Sequence, residues 1–177
     1  TSGNWYETSK DGKHLLKGNK NDAVICKIPS SEVVQTFSGH TRIVTCVAYV
    51  PDGNYVLTGS EDKTIKLWSV KTGQELRTFS GHQHFIKDIA VSNNGKYLAS
   101  CSYDNMVKLW DLNTGKEVRT FKGHNSFVYS VEFGPDQKTL LSGSLDKSAI
   151  LWDISTGNII RTFKGENEHG VNTVAIS

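Results

Sequence analysis

The sequence predicts an all-β chain made by repeating one four-stranded antiparallel sheet. Gly39-His40, Gly81-His82 and Gly123-His124 recur every 42 residues, and Trp68-Ser69, Trp110-Asp111 and Trp152-Asp153 recur at the same interval. Such a fixed period marks a chain of like units that bury their apolar faces against one another. Short apolar runs alternate with turn residues about every 8 to 12 positions, as strands do. No segment longer than ten residues keeps a helical period.

The second repeat shows the unit most plainly. Ile43 to Val50 is a strand, and Pro51-Asp52-Gly53 turns it. Tyr55 to Ser60 is the next strand, closed by Glu61-Asp62-Lys63. Thr64 to Val70 is the third, and Lys71-Thr72-Gly73 turns again, with Gly73 suited to a positive φ. Gln74 to Phe79 is the fourth and most polar, so polarity rises from the inner strand to the outer one. In the inner strand the apolar pairs Val44/Val47, Ile86/Ile89 and Val128/Val131 stand three apart rather than two, which predicts a β-bulge in each repeat. The third repeat runs Phe85 to Val91, Tyr97 to Ser102, Met106 to Leu112 and Lys116 to Phe121. The fourth runs Phe127 to Phe133, Thr139 to Ser144, Ser148 to Ile154 and Asn158 to Phe163.

The two ends depart from this unit. Lys13 to Gly18, Ala23 to Ile28 and Glu32 to Phe37 read as the last three strands of a first repeat. Cys26 stands there at the Trp position, and Trp5 to Thr8 reads as a shortened inner strand. At the other end Gly165-Glu166 replaces Gly-His, His169 is out of register, and Val171 to Ser177 reads as one more inner strand after a one-residue insertion. One repeat-built domain over 1–177 is expected, with a partial repeat over 1–38, full ones over 39–80, 81–122 and 123–164, and a second partial one over 165–177.

Twenty basic and 18 acidic residues give a net charge of +2, and the basic residues are scattered without a basic–aromatic stripe. Neither nucleic acid nor a membrane surface is the expected partner. No apolar run approaches a span, and the first residues have no apolar core of a signal peptide. The absence of an initiator Met reads as processing, or as a cut from something larger. Cys26, Cys46 and Cys101 are odd in number, lack metal-ligand spacing and sit in apolar strands. They read as buried free thiols in a reducing compartment, hence an intracellular protein of the cytoplasm or nucleus. No cofactor and no metal site are expected: the Gly-Lys pairs lack phosphate-loop spacing, and of His82 and His84 one is committed elsewhere.

Gly-His at one end and Trp-Asp at the other of a unit of this length make the chain resemble the WD40 β-propeller family over nearly all of it. The resemblance implies four-stranded blades, about four blades' worth, set around an axis. Most propellers of this family close with seven blades. The chain is then part of a longer seven-bladed ring, or one half of an eight-bladed ring made by two copies pairing through edge strands, or a tight four-bladed ring.

Each full repeat also carries His, a hydroxyl, Asp and Trp in register: His40, Thr58, Asp62 and Trp68; His82, Ser100, Asp104 and Trp110; His124, Ser142, Asp146 and Trp152. A Ser-His-Asp trio suggests a hydrolase. Yet a catalytic site is needed once, this trio recurs three times, and the Trp that travels with it has no use in a triad. No catalytic residue and no enzyme activity are expected. The resemblance implies a structural tetrad instead, in which Trp donates to the hydroxyl, the hydroxyl pairs with one imidazole nitrogen and the other nitrogen faces Asp. Asp88 alone breaks the repeat symmetry, standing where the other copies have Cys46 and Ser130, and a structural hydrogen bond is its expected role.

The resemblance further implies a non-catalytic scaffold for protein or peptide partners. Docking is expected on the face that carries the loops before the inner strands and the turns between second and third strands. Three positions per repeat project there: Ile43, Phe85 or Phe127; Thr45, Lys87 or Tyr129; Glu61, Tyr103 or Leu145. Phe85, Tyr103, Phe127, Tyr129 and Leu145 form an apolar, aromatic set on the third and fourth repeats, either exposed as a binding patch or packed between neighbouring sheets. Arg42 and Lys87 border it, which suits an acidic or phosphorylated peptide.

Overall fold

The computed structural model describes residues 5–165 and 170–176. Its strands form four antiparallel sheets of four, each from a contiguous stretch of chain, and no helix occurs among the described residues. The first blade holds β1 (Tyr6–Thr8), β2 (His14–Asn19), β3 (Asp22–Lys27) and β4 (Val33–Ser38). The second holds β5 (Val44–Tyr49), β6 (Tyr55–Ser60), β7 (Thr64–Ser69) and β8 (Glu75–Ser80). The third holds β9 (Ile86–Val91), β10 (Tyr97–Ser102), β11 (Val107–Asp111) and β12 (Glu117–Phe121), and the fourth β13 (Val128–Phe133), β14 (Thr139–Ser144), β15 (Ser148–Asp153) and β16 (Ile159–Lys164).

Strand bounds differ from the sequence reading by a residue or so. Gly73 turns with φ of 72°, as its place after Lys71-Thr72 requires. Each predicted inner-strand bulge is present: the β5–β6, β9–β10 and β13–β14 registers skip Thr45, Lys87 and Tyr129. A second irregularity, which apolar spacing did not signal, falls where each third strand meets its fourth, at Trp68, Trp110 and Trp152 and at Cys26 in the first blade.

The cores lie between successive blades rather than inside one. Leu57, Ile65 and Phe79 of the second blade share a cluster with Ile86, Leu98 and Trp110 of the third, and Phe121 and Val107 share one with Val128, Ile150 and Trp152 of the fourth. The outermost strand contributes one ring to each junction. Phe37 meets Trp68 at 5.9 Å between ring centroids, Phe79 meets Trp110 at 6.0 Å and Phe121 meets Trp152 at 5.6 Å. At the same junctions Gln35 Nε2 donates to the Val70 carbonyl, Arg77 Nη1 to those of Leu112 and Asn113, and Arg119 to those of Ser155 and Thr156. Gly59 marks how closely blades approach. A Cβ there would lie 2.5 Å from Cys46 Sγ and 2.7 Å from Ile86 Cγ2, so no larger residue fits without displacing the next inner strand.

One expectation about the ends holds and one needs correction. Tyr6–Thr8, expected as a shortened inner strand, pairs along β2 and fills the inner place of the first blade. Residues 171–176, expected as a strand, have no regular partner. They run beside the fourth blade instead, with the Val171 N–H on the Ser144 carbonyl, the Val174 N–H on Ser130 Oγ and the Ile176 N–H on Glu132 Oε2. Glu166, His169 and Ser177 lie outside the described residues. Among the described residues no strand pairing or hydrogen bond joins the fourth sheet to the first.

The inner strands and residues 173–176 border a central cavity of about 1360 Å³. Cys26, Cys46 and Cys101 are buried free thiols. No helix among the described residues is long and apolar enough to cross a membrane.

Candidate interaction face

The repeated polar set is built alike in three blades. Trp68 Nε1 donates to Thr58 Oγ1 at 2.8 Å, Thr58 Oγ1 lies 2.6 Å from His40 Nε2, and His40 Nδ1 lies 2.7 Å from Asp62 Oδ2. Trp110 donates to Ser100 at 2.9 Å, with His82 2.8 Å from Ser100 and 2.7 Å from Asp104. Trp152 donates to Ser142 at 2.8 Å, with His124 2.8 Å from Ser142 and 2.9 Å from Asp146. A neutral imidazole with its proton on Nδ1 satisfies every member: indole to hydroxyl, hydroxyl to Nε2, Nδ1–H to carboxylate.

The carboxylates are also tied to backbone. Asp62 accepts from the Thr41 and Thr64 N–H groups, and Asp104 from those of Gln83 and Met106. Burial would raise the Asp62 carboxyl, but the hydrogen bonds from His40 and Thr64 outweigh it and hold it below the usual carboxylate range. Asp104 and Asp146 are lowered in the same way. Burial lowers the His124 imidazole despite the Asp146 carboxylate beside it.

These sets fix the loops that form one face. In each full blade the loop before the inner strand is clasped to the turn between second and third strands: Glu61 N–H to the Ile43 carbonyl at 2.9 Å, Tyr103 N–H to Phe85 at 3.1 Å, Leu145 N–H to Phe127 at 2.9 Å. The hydroxyls of Ser60, Ser102 and Ser144 reinforce the clasp on the carbonyls of Arg42, His84 and Ser126.

On the third and fourth blades this face carries a continuous set of rings. Tyr103 stacks on Phe127 with centroids 4.3 Å apart and planes 16° from parallel. Tyr129 meets Tyr103 edge-on at 5.5 Å. Phe85 lies 6.2 Å from Tyr103, and His84 touches Phe85, Tyr103 and Phe127. Lys87 Nζ stands 5.3 Å from the Tyr103 ring centre and 5.9 Å from that of Tyr129, and the Arg42 guanidinium 5.8 Å from that of Phe85. Phe127 keeps 37 % and Leu145 42 % of its surface exposed.

The sequence profile of the WD domain, G-beta repeat, matches this chain three times, over residues 31–69, 73–111 and 115–153, more than half its length. The chain belongs to the WD40 family. Curated relatives include ribosome biogenesis protein BOP1 homologs. The one from Anopheles gambiae is 36 % identical over 59 residues, 29 % of this chain and 7 % of that protein. Those from Drosophila grimshawi and Drosophila melanogaster are 40 % and 39 % identical over 59 residues, covering 29 % of this chain and 8 % of each. The match thus spans less than a tenth of those proteins.

Within this WD40 chain the nine positions predicted for partner binding separate. Phe85, Lys87, Tyr103, Phe127 and Tyr129 come together across the junction of the third and fourth blades, with Leu145 clasped to Phe127. Ile43 is exposed and Glu61 partly so on the second blade, outside the ring contacts. Thr45 is a correction. It is buried, and its hydroxyl donates to the Gly59 carbonyl at 3.0 Å and to the Ile86 carbonyl at 2.7 Å, so it ties two blades and offers nothing to a partner. The two expectations for the rings also meet halfway, since the same stack that leaves Phe127 exposed crosses a blade junction. His84 was not foreseen as a ring of this set. Its signal was position: it directly precedes Phe85, as Arg42 precedes Ile43.

Asp88 lies on the cavity side of the same junction. Its carboxylate accepts from the Val131 N–H and Ser130 Oγ of the fourth blade, both at 3.1 Å, and from the Ile89 N–H at 2.9 Å. Burial pushes the Asp88 carboxyl up to about 7, against those hydrogen bonds. Two other inner-strand carboxylates do similar work, Glu7 accepting from the Tyr49 N–H and Glu132 from the Ile176 N–H. Asp88 and Glu7 tie inner strand to inner strand, and Glu132 ties an inner strand to residues 171–176.

Proposed function

We propose that this WD40 chain is a non-catalytic interaction scaffold, and that it binds protein or peptide partners on the face bearing Phe85, Tyr103, Phe127 and Tyr129. The observation that carries this reading is the Tyr103–Phe127 stack, in which Phe127 is 37 % exposed, joined to further rings and two cations. Exposed aromatics held rigid cost little ordering entropy on binding, which is why such residues dominate interface energetics. The His-Ser-Asp sets are spent on the blade itself, consistent with a scaffold.

The test is affinity capture followed by purified binding. Proteins retained by the wild type and lost with Tyr103→Ala or Phe127→Ala, at unchanged melting temperature, are partners of this face. Retention of every partner by both variants would contradict the assignment. The BOP1 homologs are named for ribosome biogenesis. The shared 59 residues amount to little more than one 42-residue repeat, so the likeness supports the blade and not that process.

A second reading, assembly into a larger ring, rests on one contrast. Phe37, Phe79 and Phe121 are each 1 % exposed beneath the next blade, whereas Phe163 at the same position is 46 % exposed. Arg161, the counterpart of Arg77 and Arg119, lies over Phe163 instead of reaching a carbonyl of a further blade. A further blade, or a second copy of the chain, would cover that edge. Light scattering after gel filtration decides this. Twice 19.6 kDa supports pairing of copies, and a compact monomer rejects it.

A further inference from the structure

Among the described residues, no ion pair holds the cations of the ring face. Lysine ion pairs there involve Lys27, Lys66 and Lys108; Asp62, Asp104 and Asp146 are turned to the tetrad histidines, and Glu61 on the second blade forms no ion pair with Lys87 or Arg42. Lys87 is held instead over two tyrosine faces, and Arg42 over Phe85. The bulge that skips Lys87 in the β9–β10 register turns it out of the ladder while its neighbours Ile86 and Asp88 stay buried.

This arrangement selects by charge. A methylated lysine or arginine needs an empty aromatic cage, and here the ring faces already hold the chain's own cations, which would repel a second one. A nucleic-acid strand needs free ring faces for its bases, yet Tyr103 and Phe127 cover each other. A phosphate dianion is best met by several guanidinium forks, whereas here the one guanidinium, Arg42, is held over Phe85 and Lys87 presents a single ammonium beside Tyr103 and Tyr129. That set matches a single carboxylate. Phe127 and Leu145, exposed and clasped together, supply the adjoining apolar ground.

We infer that this face takes an acidic segment of a protein partner, with an Asp or Glu carboxylate against Lys87 and the tyrosine hydroxyls and a neighbouring apolar side chain on Phe127 and Leu145. The inference rests on the reading of this face as the docking surface, and its test separates the two.

Fluorescein-labelled decapeptide pools share a fixed Phe and carry Glu, Gln, Lys or phosphoserine at one neighbouring position. Their binding to the full chain, and that of a labelled oligouridylate, is measured by anisotropy at about 0.15 M salt. The Glu pool should bind about fivefold more tightly than the Gln pool, the size of a screened surface pair, and the Lys pool most weakly. Lys87→Met should erase the Glu–Gln difference, retain the Gln-level binding and leave the melting temperature unchanged. Equal binding of Glu and Gln pools that is lost in Phe127→Ala overturns the acidic preference and leaves the docking surface standing. Tighter binding of the Lys pool does the same, and tighter binding of the phosphoserine pool overturns the preference for a carboxylate. Preferential binding of the oligonucleotide, or binding of no pool, overturns both.

Discussion

Phe121, on the outermost strand of the third blade, packs against Trp152 of the fourth with ring centroids 5.6 Å apart. The same two blades carry Tyr103 and Phe127, whose stack forms the centre of the proposed binding face. The spacing of these two blades therefore rests on a buried contact between the outermost strand of one and the third strand of the next.

That dependence can be measured. Phe121→Ala removes a ring that is 1 % exposed and should destabilise the chain by about 3–5 kcal/mol. Phe163→Ala, the same substitution one repeat later, removes a ring with no blade against it and should change stability by no more than about 0.5 kcal/mol. Urea denaturation of both variants compares them directly. Equal losses would mean that the fourth blade's edge is covered in solution.

Asp104→Ala takes the acceptor from His82 Nδ1 and from the Gln83 and Met106 N–H groups. Leaving buried donors unpaired should cost about 1–3 kcal/mol. Asp104→Asn, which keeps one acceptor oxygen, should lose less. Thermal melts rank the two, and a reversed order would contradict the hydrogen-bond account of the set.

The pH dependence has two parts of opposite sign. Asp62, Asp104 and Asp146 titrate lower folded than unfolded, so their stabilisation is present above about 3.9 and is lost as pH falls through the folded values. Asp88 is raised to about 7, so its contribution is greatest below about 3.9 and is lost as pH rises to about 7. The stability of the wild type relative to Asp88→Asn should therefore fall across that window and stay level above it. Paired urea titrations from pH 4 to pH 8 read the difference. A difference that rises with pH would show that the Asp88 carboxylate is stabilised as an anion.

Much of this was legible in the sequence, because the repeat states each feature three times. The inner-strand bulges showed in the spacing of Val44 and Val47 and its two copies, and Gly73 showed its turn. What the sequence hid was contact between repeats. Thr45 reads as a surface position by its offset, but the next inner strand covers it and takes its hydroxyl. Phe37, Phe79 and Phe121 look like the apolar ends of polar strands until the next blade's Trp is seen beneath them. The shared register does not say that the rings of the third and fourth blades meet, since that depends on how the blades pack. His84 joined them unforeseen because its neighbours at the equivalent places, Arg42 and Ser126, are not aromatic.

Partners are expected to engage the ring face over the third and fourth blades. Hydrogen–deuterium exchange of the chain with and without a purified captured partner tests it most directly. The account predicts added protection of residues 84–87, 103–106 and 126–129, and none in β16. Protection confined to β16, with the ring face exchanging as in the free chain, would contradict it and assign binding to the open edge instead.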